Sequence, residues 1–340
     1  MRSHPASMLV LTCLLLTGQT ACAQNTMRPA TTDPDGTVHT NELALAVPIL
    51  DGEVMPEQTD AETAAFLDEL SSVEITALRS QMIATRFFEF ADTQTRKGNL
   101  YYTASRSSDG DVVRKFGAYF NTLFVGTFSE AGAREEPYQR AFVFDGRMLI
   151  EIDEDTNPRL FKRREVIGPG EKLDPMSLDQ GIFPLPIGQK REEILKRYNA
   201  RLAPAAEGLM VNPSDAEFWN EKEIIFFHAL AKFHQDNKSV QLVLEPRNGA
   251  NSDMRQIRLW YTQTDAGDGA SVWLPSLART IDGAGDISFI QLQSPAINGR
   301  AEVPEGALNL QPPADPRGWT IPSIEPYREA IVNAPDSSRE

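Results

Sequence analysis

Residues Ala141 to Ile152 read Ala-Phe-Val-Phe-Asp-Gly-Arg-Met-Leu-Ile-Glu-Ile, and this stretch constrains the fold more than any other. Asp145-Gly146 is a favoured type I′ pair because both central residues of that turn need positive φ, so two antiparallel strands are expected on either side of it. A two-residue turn sets Phe144 opposite Arg147, Val143 opposite Met148 and Phe142 opposite Leu149. Strand side chains alternate between faces. Ala141, Val143, Met148 and Ile150 therefore share one face, and Phe142, Phe144 and Leu149 the other. A hairpin that is apolar on both faces predicts a sheet with each side at least partly covered.

The period of two recurs along the chain. Gly98–Ser105, Arg114–Val125, Glu223–Phe233, Ser239–Glu245, Ile257–Thr262, Ser271–Ile281 and Asp286–Gln293 all read as strands, with Asp282–Gly285 as the turn between the last two. Helical spacing is confined to two places. Thr59-x-x-Glu62 forms a capping-box pattern ahead of a helix from about Asp60 to Ser71, whose stripe is Phe66, Leu67, Leu70 and Val73. Gln189–Tyr198, after the extended Phe183–Gly188 segment, places Ile194, Leu195 and Tyr198 on one side. A meander of strands with helices inserted, rather than a βαβ order, predicts an α+β fold.

The N-terminus has the pattern of a secretory signal peptide over residues 1–23. Arg2 is the charged residue, Met8–Leu16 the apolar run, and Ala21-Cys22-Ala23 the cleavage site. Cleavage after Ala23 removes both Cys13 and Cys22 and exports the chain from the cytoplasm. A lipid anchor at Cys22 fits less well, because Gln19 stands where a lipobox wants an aliphatic residue. Residues 24–58 mix Pro, Thr, Asp and Gly and read as a flexible linker, 59–322 as the folded domain and 323–340 as a polar tail. The formal net charge of −15 repels phosphate backbones, and no Lys/Arg stripe overrides it, which argues against a nucleic-acid partner.

The order of these elements resembles the LolA-type periplasmic carriers of outer-membrane lipoproteins. The resemblance rests on the leading amphipathic helix, the Gly98-Asn-Leu-Tyr-Tyr102 strand, the aromatic strand after it, and Phe142–Ile152 with its Asp-Gly turn. Pro184–Lys190 ahead of a short helix and Ser288–Gln293 followed by a Pro-rich end with Gly318-Trp319 add to it. It spans roughly Asp60 to Thr320. It implies an open antiparallel β half-barrel with short helices across the concave face, acting as a monomer without cofactor. The cavity would take the acyl chains of a lipoprotein or lipid, received from an inner-membrane release complex and delivered to an outer-membrane receptor. A sensor of the same fold that regulates an envelope protein, and a lipid-anchored envelope protein, are the alternatives. Members of the family often carry an arginine in a Lys-Arg-Pro segment that gates the cavity. This chain reads Thr103-Ala-Ser-Arg-Ser107 there, so Arg106 and Arg114 are the nearest gate candidates.

Phe87, Tyr102, Phe116, Phe120, Phe142, Phe144, Leu242, Leu244, Leu259 and Phe289 are the candidates for the wall of a lipid cavity, and each equally suits an ordinary sheet core. Catalytic constellations are sparse. Of four histidines only His228 and His234 lie in the expected domain, six apart, where a regular strand would put them on one face with Asp236 nearby; one packed and one exposed histidine is the plainer reading. Glu192 and Glu193 are adjacent on a helix and point apart. No G-x-S-x-G elbow, phosphate-cradling glycine loop or mature-chain cysteine is found, so the chain is expected not to be an enzyme.

Overall fold

The computed structural model describes residues 60–326 apart from 73, 88–92, 109, 111, 127–133, 167–190, 211–220, 248–253, 268–269 and 284. In chain order the elements are α1 (Ala61–Ser72), β1 (Ala77–Phe87), β2 (Gln94–Arg106), β3 (Val112–Val125), β4 (Arg134–Phe144), β5 (Met148–Asp153), β6 (Arg159–Glu165), α2 (Arg191–Arg197) and β7 (Tyr198–Ala203). They continue with α3 (Glu221–Asp236), β8 (Val240–Pro246), β9 (Met254–Gly267), β10 (Ala270–Asp282), β11 (Ile287–Ile297) and β12 (Trp319–Thr320). Among the described residues the strands form one unclosed 12-stranded sheet in the order β12-β6-β5-β4-β3-β2-β1-β11-β10-β9-β8-β7. All pairings are antiparallel except β12 with β6. The expected signal peptide, linker and Pro184–Lys190 segment lie outside the described residues.

The sheet consists of two meanders, β1 to β6 and β7 to β11, joined by one ladder between β1 and β11. That ladder runs from Leu78 opposite Ile297 to Phe87 opposite Ile287 and is interrupted by a bulge at Arg79/Gln81. Ser80 fills the bulge, its hydroxyl donating to the Gln293 carbonyl at 2.9 Å. Side chains clamp both ends. At one, Asn298 Oδ1 accepts from the Thr76 amide at 2.8 Å while its Nδ2 donates to the Glu74 carbonyl at 3.3 Å. Asn298 adopts φ +51°, a conformation that asparagine tolerates better than most residues. At the other, Arg86 reaches Asp286 at 2.7 Å and Asp282 at 3.3 Å.

Alternation gives the sheet two apolar faces. On the first, β1–β4 and β7–β11 contribute Met82, Leu100, Tyr102, Phe116, Leu259 and their neighbours to one core cluster, to which α1 adds Phe66 and Leu67 and α2 adds Ile194. On the second, Trp260, Leu277, Ile287 and Phe289 pack with Phe227 and Ala231 of α3. Also on the second face, Val143, Ile150 and Phe161 pack with Leu310, Trp319 and Ile321 of the C-terminal segment. That segment is held by Tyr119, whose hydroxyl donates to the Ala307 carbonyl at 2.6 Å. It crosses so near β3 that a Cβ on Gly117 would lie 2.7 Å from the same carbonyl oxygen. Burial pushes the Tyr119 phenol up to about 12, with Tyr101 beside it adding to the shift.

Three expectations are corrected. Glu223–Phe233 is part of helix α3 and not a strand: Phe226, Phe227, Leu230, Ala231 and His234 recur at helical spacing, and the buried members Phe227, Ala231 and His234 lie on its sheet-facing side. The cap of α1 is Asp60 rather than Thr59, since Asp60 Oδ1 accepts from the Thr63 amide at 2.8 Å and its Oδ2 from the Thr63 hydroxyl at 2.9 Å. The Asp-Gly hairpin is wider than expected. Phe144 pairs with Leu149, Val143 with Ile150 and Phe142 with Glu151. Asp145 Oδ1 accepts from the amides of both Arg147 and Met148, at 2.9 and 2.8 Å, so an Asx-type loop with positive φ at Gly146 replaces the two-residue turn. The register moves by two residues, which preserves the expected faces.

Asn298→Ala should cost about 1–3 kcal/mol, from the lost clamp and the positive φ, read as a lower urea midpoint. Gly117→Ala should cost about 1–3 kcal/mol by overpacking, and hydrogen exchange should show residues 301–321 opening before the rest of the sheet.

Candidate functional site

The first face gathers most of the sequence-selected residues. Tyr102, Phe116, Phe120, Phe144, Leu242, Leu244 and Leu259 are buried in its core cluster, and Phe142 is half-buried against it. The Phe116 and Phe144 rings stack with centroids 6.1 Å apart. Phe87 and Phe289 are not brought to this face. They lie on the opposite one, where their rings and that of Phe227 form a triangle with centroid separations of 5.6 to 5.8 Å.

Among the described residues, α1 and α2 cover the first face. Phe66 meets Tyr261 edge-on at 5.5 Å and Trp273 at 5.7 Å. Thr63 Oγ1 accepts from the Leu202 amide on edge strand β7 at 3.1 Å, and the Trp273 indole donates to Glu69 at 2.9 Å. Arg191 at the start of α2 is tied to Asp68 at 2.7 Å. Beneath Phe66, the Tyr261 hydroxyl is buried without a hydrogen-bond partner, and burial raises its pKa well above the ordinary phenol value.

Polar groups border this face at one end of the strands. Arg140 lies over the Phe142 ring at 5.1 Å and donates to Glu151 and to the Tyr138 hydroxyl, while Arg96 lies over the Tyr138 ring at 5.6 Å. Burial works against the charge of Arg140, but Tyr138 and Glu151 outweigh it and raise its pKa above the ordinary arginine range. Sequence reading missed this border; the only signal was arginine alternating with aromatic residues on β4. The expected gate arginines stand near the other end. Arg106 is exposed, 3.9 Å from an equally exposed Glu74, and Arg114 is half-buried two residues before Phe116.

On the second face, His228 and His234 are separated by the helix they share. His228 is exposed, whereas His234 is buried, its Nδ1 2.9 Å from the Ser239 hydroxyl and its ring 5.8 Å from that of Trp260. No cluster of three metal-ligating side chains occurs among the described residues. Nor is any helix there long and apolar enough to cross a membrane.

No family model matches the chain, and no curated protein sequence matches it. The folds of several solved structures are similar, among them a LolA superfamily protein from Nitrosomonas europaea, with 8% identity, 73% of this chain, 97% of that chain and a TM-score of 0.29. A DUF1329 family protein from Desulfovibrio piger is similar at 11% identity, over 73% and 95% of the two chains, with a TM-score of 0.32. MucB in the Pseudomonas aeruginosa MucA/MucB complex is similar at 16% identity and a TM-score of 0.30, over 74% of this chain but only 62% of its own. LolA-like proteins are thus among the structural neighbours.

Burial holds His234 neutral, with its pKa pushed down to about 4. In the unfolded chain the ring titrates near 6.5. Between those values the unfolded state binds a proton that the folded state refuses, so stability should fall as pH drops from about 6.5 to about 4 and level off below. The contribution is roughly 3 kcal/mol at most. Urea titrations at several pH values should show a steeper acid decline for the parent chain than for His234→Gln.

Proposed function

We infer that the chain binds a long apolar ligand, such as the acyl chains of a lipoprotein or lipid, between the first face of its sheet and helices α1 and α2, and shields it in transit across the cell envelope. On this reading the open sheet curls as a half-barrel with α1 and α2 across its concave side. Phe87 and Phe289 belong to the support behind the wall and not to the wall itself. The role needs no cofactor and no covalent chemistry, and the exported chain works in the periplasm.

The observation that carries this reading is the continuity of the apolar cluster across both meanders, from Phe144 on β4 to Leu242 and Leu244 on β8, beneath α1 and α2. Each methylene moved from water into such a surface contributes about 0.8 kcal/mol, so part of one acyl chain offsets the loss of several hydrogen bonds between helix and sheet. The Tyr261 hydroxyl is a buried donor facing this side, suited to the ester or amide carbonyl of an acylated ligand.

Native mass spectrometry of the exported chain, purified without detergent from a diderm host, tests the reading. A near-stoichiometric acylated protein or phospholipid is expected, and a clean apo mass with no uptake of added lipopeptide would sink it. Phe142, half-buried, is the position to alter. Phe142→Glu should weaken lipopeptide uptake at least tenfold while lowering the unfolding midpoint only modestly, whereas equal loss of both would mark Phe142 as ordinary core. Retention of a membrane-anchored protein in pulldowns would favour the regulatory alternative over the carrier.

A further inference from the structure

The second face of the sheet carries charge at depth. Register places Arg201 of β7, Val243 of β8, Arg258 of β9, Arg279 of β10 and Phe289 of β11 on one rung. The turn after β7 docks over it, with the Trp260 indole donating to the Ala205 carbonyl at 2.7 Å and the Gln241 amide to the Glu207 carbonyl at 2.9 Å. Gly208, at φ +72°, lets that turn approach so closely that a Cβ would sit 3.0 Å from the Arg258 side chain.

Two of the three arginines are compensated. Glu207 accepts from Arg201 at 2.6 Å and from Arg258 at 3.0 Å, and Gln256 accepts from Arg258 Nε at 2.7 Å while donating to Glu245 at 3.0 Å. Burial opposes the charge of Glu207, but the two arginines prevail and hold its carboxyl below the usual range. Arg279 has no such relief. It is 4% exposed, its guanidinium lies 6.0 Å from the Phe289 ring centroid, and its Nη1 is buried with no hydrogen-bond partner. It forms no ion pair among the described residues. Burial, with Arg258 adding to it, pulls its pKa down to about 9, so it remains a cation at neutral pH. A buried, uncompensated guanidinium is costly, and its planar fork of donors matches an oxyanion.

We propose that Arg279, with Arg258 beside it, forms a binding site for a small free oxyanion, a phosphate or a carboxylate, on the face of the sheet opposite the apolar ligand. The sheet separates the two, so the headgroup of a ligand held on the first face does not reach this site, and the two bind independently. The turn carrying Glu207 fixes Arg258, which leaves the Arg279 fork as the group that selects the anion.

Thermal unfolding of the full exported chain in an anion-poor buffer tests this, with sodium phosphate or sodium acetate added at ionic strength held constant by sodium chloride. A saturable rise of several degrees in Tm is expected with at least one of the two, since a ligand that binds only the folded state stabilises it. A response to phosphate alone assigns a tetrahedral anion, and a response to acetate a carboxylate. Arg279→Met should abolish the response while unfolding at or above the parent temperature, because an unpaired buried charge is removed. Arg279→Lys retains the charge without the fork and should bind at least tenfold more weakly; it serves if the methionine variant does not fold. Absence of any response beyond sodium chloride in the parent chain, or an undiminished response in either variant, would overturn the proposal.

Discussion

The ladder between β1 and β11 is the interaction on which the rest of the molecule depends. Each meander is built from neighbours in sequence, but only this ladder makes them one sheet. Both apolar faces are continuous across it: Met82 opposite Leu292 links the first core, and Thr85 opposite Phe289 with Phe87 opposite Ile287 brings β1 into the second. The clamps at its ends use side chains rather than further strand, which fits a junction that must stop where the sheet's covering layers begin.

A single sheet with two apolar faces needs two covers and two protected edges. On the second face α3, the Glu207 turn and the C-terminal segment each dock through a specific hydrogen bond, at His234, Trp260 and Tyr119. On the first face, among the described residues, α1 is joined to the sheet at Leu202 and Trp273. The edges are treated differently as well. At β7 the Thr63 side chain accepts from the Leu202 amide. At β6 the backbone of Gly318 to Glu325 pairs in parallel and closes the row.

Much of this was legible in the sequence. The strands from β2 to β5 and β8 to β11, both short helices, and the two-sided character of the Asp-Gly hairpin follow from alternation and spacing. Strand β1 escaped because two of its inward positions are polar, Ser80 and Thr85, each satisfied by a partner on another strand that alternation cannot reveal. Helix α3 was misread because Ile224, Ile225, Phe226 and Phe227 have strong β propensity in isolation; the second face on which Phe226 and Phe227 pack decides otherwise. For the site, residue type was legible and face was not. Phe87 and Phe289 match the other aromatic candidates in composition, and only register through a bulged ladder puts them on the far side. Arg279 reads as an unremarkable strand arginine until its neighbours on β9 and β11 are known.

The same ladder has a consequence for how the chain is made. Thr76 and Asn298, which close its end, are 222 positions apart, so a chain emerging from its N-terminus completes the whole first meander long before β11 exists. During that interval β1 is an open edge with free amides and carbonyls, the kind of surface that pairs with the wrong neighbour. Such high contact order also makes closure slow. Arg79 and Arg86, exposed on β1, place charge along that waiting edge and discourage premature pairing until the second meander arrives.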